Sequence, residues 1–133
     1  MNNFTPAQQA AIAARGNVLV VAGAGTGKTR TLIARVLALL REGASLDQML
    51  LVTFTEAAAA ELRARLRSAL EDELKAVTNA ASPSPISHLL SPGEALAEQV
   101  ALLDTAQIST LHGFCLRLVR EHFHQLAIDP QLV

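Results

Sequence analysis

The residues with the clearest chemistry are Lys28 and Thr29. They close a glycine-rich turn, Ala22-Gly-Ala-Gly-Thr-Gly-Lys-Thr29, that follows the apolar run Val18-Leu-Val-Val21. An ammonium and a hydroxyl at the end of such a turn suit phosphate. Backbone N–H groups point inward around the β- and γ-phosphates, the lysine reaches their oxygens, and the hydroxyl ligates Mg²⁺. The usual spacing is G-x-x-x-x-G-K-[ST], and Ala22 stands here where the first glycine is expected. The flanks meet the mechanism's demand, since Val18–Val21 reads as a buried strand and Thr29–Leu40 as a helix. A turn kept only for the backbone freedom of its glycines would leave the lysine unexplained. Lys28 is one of only two lysines among eleven basic residues, so its place at the motif position is not surface decoration.

The elements that must hold this loop are legible on both sides of it. Thr5-Pro6-Ala7-Gln8 is a helix start, with threonine at the N-cap, proline at the first helical position and a capping-box glutamine, and Gly16 closes that helix. Gln8 therefore has a structural use whatever else it does. Leu32, Ile33, Val36, Leu37 and Leu40 lie at helical spacing, so the helix after the loop packs one face while its N-terminus faces the phosphates. Met49–Phe54 is a second strand, capped by Thr55. A long helix follows from Glu56 to about Val77, with Leu62, Leu66, Leu70 and Leu74 at every fourth position and Ala57–Ala60 permitting a close approach. Arg63 and Arg67 share a face of it, with Glu71 four residues on, which is the pattern of a solvated, salt-bridged surface. Ser and Pro then replace the helical pattern, and residues 75–93 are expected to form a linker or insertion. Ser91-Pro-Gly-Glu94 is a second capping box, opening a helix striped by Leu96, Val100 and Leu103. Gln107–Leu111 is a third strand, followed by a helix bearing Leu116, Val119 and Phe123.

The totals narrow the class. At 133 residues the chain is one domain's length, half apolar but only 3% aromatic. Its apolar runs fall far short of the ~20 residues that cross a bilayer, and the N-terminus lacks the regions of a signal peptide, so a soluble, cytoplasmic protein with no membrane partner is expected. The single cysteine, Cys115, permits no internal disulfide. His122 and His124, two apart on a helix, point in different directions and do not make a metal pair. A net charge of −1 argues against a module that binds nucleic acid by phosphate neutralisation alone.

Four segments taken together resemble the N-terminal part of superfamily-1 DNA helicases of the UvrD/Rep type, and among them the RecB and AddA helicase/nuclease subunits. Phe4-Thr-Pro-Ala-Gln-Gln-Ala-Ala-Ile12 is similar to the family's Q motif, in which the residue matching Gln8 recognises adenine. Ala22, Gly23, Ala24, Gly25, Thr26, Gly27, Lys28, Thr29 and Arg30 have the family's form of the phosphate loop, with its leading alanine and trailing arginine. Leu51-Val-Thr-Phe-Thr-Glu-Ala-Ala58 is similar to motif Ia, with Glu56 and Ala57 in place of the commoner Asn-Lys. Ile108-Ser-Thr-Leu-His-Gly-Phe-Cys115 is similar to motif Ib of the recombination subunits.

The resemblance implies a P-loop NTPase of RecA-like α/β fold, a parallel sheet with flanking helices. Residues 1–133 would form the N-terminal part of its ATP-binding domain. Three short strands are few for such a sheet, so the domain is expected to be incomplete in this stretch. The implied cofactors are ATP and Mg²⁺, with Lys28 and Thr29 catalytic and Thr29 on the metal. Thr53, Phe54, Thr55, Thr110 and His112 are implied to lie along single-stranded DNA. Phe54 is the stacking candidate, with an ordinary core aromatic as the alternative. The implied partners are single- and double-stranded DNA and a second helicase/nuclease subunit. The acidic pair that orients the attacking water and the arginines that stabilise phosphoryl transfer are not found in this sequence, so nucleotide binding with little hydrolysis is expected. A small-molecule P-loop kinase would use Lys28 and Thr29 but give the other two motifs no role. A non-enzymatic helical interaction module would leave the loop itself unexplained.

Overall fold

The computed structural model describes residues 4–80 and 92–126, a mixed α/β arrangement that is mostly helical. Helix α1 spans Pro6–Ala13, α2 Lys28–Arg41, and a 3₁₀ turn Leu46–Gln48 leads into strand β1, Leu50–Thr53. Helix α3 follows at Glu56–Ala80, α4 at Pro92–Leu102, strand β2 at Gln107–Thr110 and α5 at Leu111–Leu126. The two strands pair in parallel with Leu50 opposite Gln107 and Thr53 opposite Thr110, so their C-terminal ends share one edge. Parallel strands need a long crossover, and α3 and α4 supply it.

The core lies under α3. Leu62, Leu66 and Leu70, at the fourfold spacing, are buried with Val36 of α2, Leu46, Leu103, Ala106 and Ile108 of β2. The half-buried Ile33, Leu37 and Leu40 of α2 and Leu96 and Val100 of α4 pack around them, so the two apolar stripes read from the sequence serve as expected. Ala59, one of the four alanines, is buried where α3 leaves the sheet.

Val18–Val21 does not form the expected strand. Neither β1 nor β2 lies beside it, and it has no ladder partner among the described residues. Its side chains are correspondingly open, with Leu19 and Val21 nearly 90% exposed. An apolar, β-branched run has the propensity for a strand, but pairing decides whether one exists. The sheet therefore has two strands where three were expected.

Helix α3 continues to Ala80, so the start of the expected 75–93 linker is helical. Its far end, Pro92 and Gly93, is helical too, as the start of α4, while residues 81–91, with the capping role of Ser91, lie outside the described residues. Nor is Arg63 on a solvated face. Its guanidinium donates to the carbonyls of Leu103 (2.7 Å), Ala106 (3.4 Å) and Ile108 (3.0 Å), tying α3 to the turn between α4 and β2. Arg67 pairs with Asp104 of that turn, not with Glu71. The helical spacing correctly put the two arginines on one face, but their guanidiniums bind the turn before β2 and not Glu71.

Candidate functional site

The phosphate loop is built from backbone carbonyls and left-handed glycine. Gly27, the N-cap of α2, has φ +82°, and a Cβ there would lie 3.2 Å from Gln8 Nε2. Only glycine takes that conformation without strain, and it lets α1 approach the loop. The loop is braced from within by Thr26 Oγ1, which donates to the Gly23 carbonyl at 2.8 Å. Gly23, Ala24 and Gly25 form its exposed outer turn.

Lys28 lies across the loop. Its Nζ donates to the carbonyls of Ala22 (2.9 Å) and Gly23 (2.7 Å), which fixes the ammonium over the turn and leaves one of its three protons for an anion. The first-turn amides of α2 have no side-chain cap, since Gly27 offers none. Those amides and the positive end of the helix add to the lysine in favouring negative charge. Thr29 is half-buried, and its hydroxyl has no hydrogen-bond partner among the described residues. A free hydroxyl one residue after the lysine fits a metal bound with the nucleotide.

Gln8 closes the other side. The Thr5 N–H donates to Gln8 Oε1 at 2.9 Å and the Gln8 N–H to Thr5 Oγ1 at 3.3 Å, completing the expected capping box. Gln8 Nε2 also donates to the Thr26 carbonyl at 3.0 Å, so one side chain starts α1 and holds it to the loop. Between α1, the loop and α2 lies a cleft of about 790 Å³, lined among others by Gln8, Ala22, Gly23, Thr26, Lys28 and Thr29. That volume is within the range of small-molecule sites, and its donors converge on one wall, so the residues present fit a nucleotide. Arg30 points away from this wall, with its guanidinium 4.6 Å from the centre of the Phe4 ring.

The second set of residues gathers at the C-terminal edge of the two strands. Thr53 Oγ1 donates to the Thr55 carbonyl (3.0 Å), and Thr55 Oγ1 accepts the Ala58 N–H (3.1 Å), capping α3 as expected. This tight turn thrusts Phe54 out, 99% exposed. Across the edge, Thr110 is buried and caps α5 by accepting the Gly113 N–H at 3.0 Å, while His112 is exposed beside it. Two segments far apart in sequence are thus brought to one edge by the register of β1 and β2, with Thr53 and Thr110 ending the strands and His112 in the first turn of α5.

The family described as UvrD/REP helicase N-terminal domain matches residues 4–133. The chain belongs to this family. It is similar to an ATP-dependent helicase/nuclease subunit of Desulfitobacterium hafniense (strain DSM 10664 / DCB-2), 45% identical over 135 residues that cover 98% of this chain and 9% of the relative. The like-named proteins of Limosilactobacillus reuteri and Latilactobacillus sakei are 44% and 43% identical over 96% of this chain, and 8% and 13% of their own length is covered. The chain thus spans about a tenth of the length of these relatives. The family likeness read from the motifs therefore holds.

Three residues that position this UvrD-type site are silent in the sequence. Arg35 of α2 donates to the carbonyls of Ala11, Ile12 and Ala14, clamping the C-terminal end of α1. Arg63 does the same for the turn before β2. Glu56 accepts the Thr110 hydroxyl at 2.8 Å, where the sequence showed only an unusual negative charge. Each acts on chain more than 20 residues away, which no local spacing reveals. Among the described residues no group of three or more His, Cys, Asp or Glu side chains could hold a metal ion, and no helix is long and apolar enough to cross a membrane.

Proposed function

We propose that the chain is the nucleotide-binding, DNA-facing N-terminal portion of an ATP-dependent DNA helicase, one component of a helicase/nuclease that acts in DNA repair and recombination. The observation that carries this reading is the Lys28 ammonium held over a left-handed glycine loop, with Thr29 and the α2 N-terminus turned to the same cleft. Lys28 would hold the β- and γ-phosphates, Thr29 the Mg²⁺ that neutralises them, and Gln8 the base side of ATP. The bound metal would supply charge stabilisation for phosphoryl transfer. Thr53, Phe54, Thr55 and His112 would form the single-stranded DNA track, with Phe54 as its stacking platform and the buried Thr110 supporting it. Family membership and the helicase/nuclease relatives support the motor, its RecA-like P-loop fold and a partner that is a second helicase/nuclease subunit. Translocation and unwinding would belong to the whole protein.

The test is binding of a fluorescent ATP analogue to the wild-type chain and to Lys28→Ala. Loss of a charge-assisted contact of about 1.5–3 kcal/mol predicts about 10- to 150-fold weaker binding. Because the carbonyls of Ala22 and Gly23 regain water in the variant, its melting temperature should hardly move. Equal affinity for both chains would remove the basis of the proposal.

A further inference from the structure

A carboxylate on an edge that faces DNA is electrostatically adverse, since it repels phosphate. Glu56 occupies that place, as the first residue of α3 and the neighbour of Thr55 in the loop that exposes Phe54. Its side chain reaches across to the end of β2, 54 residues on, where Oε1 accepts the Thr110 hydroxyl at 2.8 Å. A threonine hydroxyl has a single proton, so donation to Glu56 fixes its rotor and turns its lone pairs to the Gly113 N–H, which it accepts at 3.0 Å. The approach is close: a Cβ on Gly113 would lie 3.1 Å from Thr110 Oγ1 and 3.7 Å from Glu56 Oε1. One chain of hydrogen bonds therefore runs from the cap of α3 to the cap of α5.

The geometry points to Glu56 as a positioning residue, whose carboxylate latches the β1–α3 turn to the junction of β2 and α5 so that Phe54 and His112 present one surface to single-stranded DNA. The inference rests on the DNA-facing reading proposed above and deepens it. Thr110, buried and with its proton committed, acts through this latch and leaves contact with DNA to its neighbours. The latch offsets the repulsion of its own charge by fixing the spacing of the two segments.

The experiment compares Glu56→Gln and Glu56→Ala by anisotropy with a fluorescein-labelled fifteen-nucleotide oligothymidylate. Both variants lack the charge, and only glutamine keeps an acceptor for Thr110. Glu56→Gln should bind as tightly as wild type or tighter. Glu56→Ala should bind about 10- to 150-fold more weakly, the scale of one charge-assisted hydrogen bond. In a Thr110→Val background the alanine change should add nothing, as expected for two members of one interaction. If both Glu56 variants bind more tightly, or if the effects of Glu56→Ala and Thr110→Val add, the carboxylate is only a repulsive charge and the latch is wrong. If the wild-type chain does not bind the oligonucleotide, the DNA-facing reading fails by itself. The latch is then decided by exchange of the Gly113 amide: acceleration in Glu56→Ala with recovery in Glu56→Gln supports it, and no change overturns it.

Discussion

Replacing Arg35 by methionine tests how the nucleotide cleft is held together. Helix α1 has no buried residue, so little apolar burial anchors it. Its C-terminal carbonyls instead receive the half-buried Arg35 guanidinium, at 2.8 Å from Ala11, 3.4 Å from Ile12 and 2.6 Å from Ala14. Methionine keeps most of the stem's packing and removes every donor. Two of the three contacts are short enough to count as strong, but the freed carbonyls regain water, so the net loss is that of about one charge-assisted bond, about 1.5–3 kcal/mol. That loss should appear as local opening of α1, accelerating exchange of its amides about 10- to 150-fold. Gln9 and Ala14, whose N–H groups donate to Thr5 and Ala10, are the reporters. Leu66 and Leu70 in α3 are the controls, because they are fully buried and remote from the clamp. Unchanged exchange at Gln9 and Ala14 would refute the clamp. Equal acceleration in α3 would show that Arg35 supports the whole fold and not this one helix.

Two further substitutions separate surface chemistry from packing. Phe54→Ala should leave stability within about 0.5 kcal/mol, since the ring is 99% exposed. The same change should weaken oligothymidylate binding about 5- to 150-fold through loss of a stacking contact of about 1–3 kcal/mol, and undiminished affinity would exclude Phe54 as the platform. Leu66→Ala, at a position with 0% exposure, should cost about 2–5 kcal/mol and lower the urea midpoint with little change of slope; a wild-type midpoint would mean that α3 is not the centre of the core.

What the sequence made legible follows from how local each signal is. The Thr5 capping box, the stripe of α2 and the fourfold leucines of α3 are patterns within one element, and each forms as its spacing implies. The phosphate loop is also local: Gly27, Lys28 and Thr29 sit within three residues, and the Lys28 ammonium closes on the loop's own carbonyls. Val18–Val21 misled because a strand is a relation between two segments, and its apolar run says nothing about a partner. Arg63 misled for a similar reason. Its charge and spacing describe the helix it stands on, whereas its three acceptors lie at least 40 residues away. Glu56 was visible only as a departure from the commoner motif, and its use emerged when the parallel register set Thr53 beside Thr110.

The two candidate sites differ in what sustains them, and this bears on how they would respond to one another. The edge bearing Phe54 and His112 stands on β1, β2 and the first turns of α3, directly over Ile108, Leu62 and Leu66 in the core. The nucleotide cleft has only one wall of that kind, α2, whose Val36 packs into the same core. Its other wall, α1, rests on polar contacts made by Gln8 and Arg35. Elements with few buried apolar contacts open most readily, so α1 lies at the low-stability end of the molecule. A core change such as Leu66→Ala removes support common to both sites, whereas Arg35→Met loosens the nucleotide side alone. A nucleotide that engages both Gln8 and the loop bridges the weak wall to the strong one. The stability it adds is therefore largest in α1, and α2 is the element through which the effect meets α3 and the edge bearing Phe54.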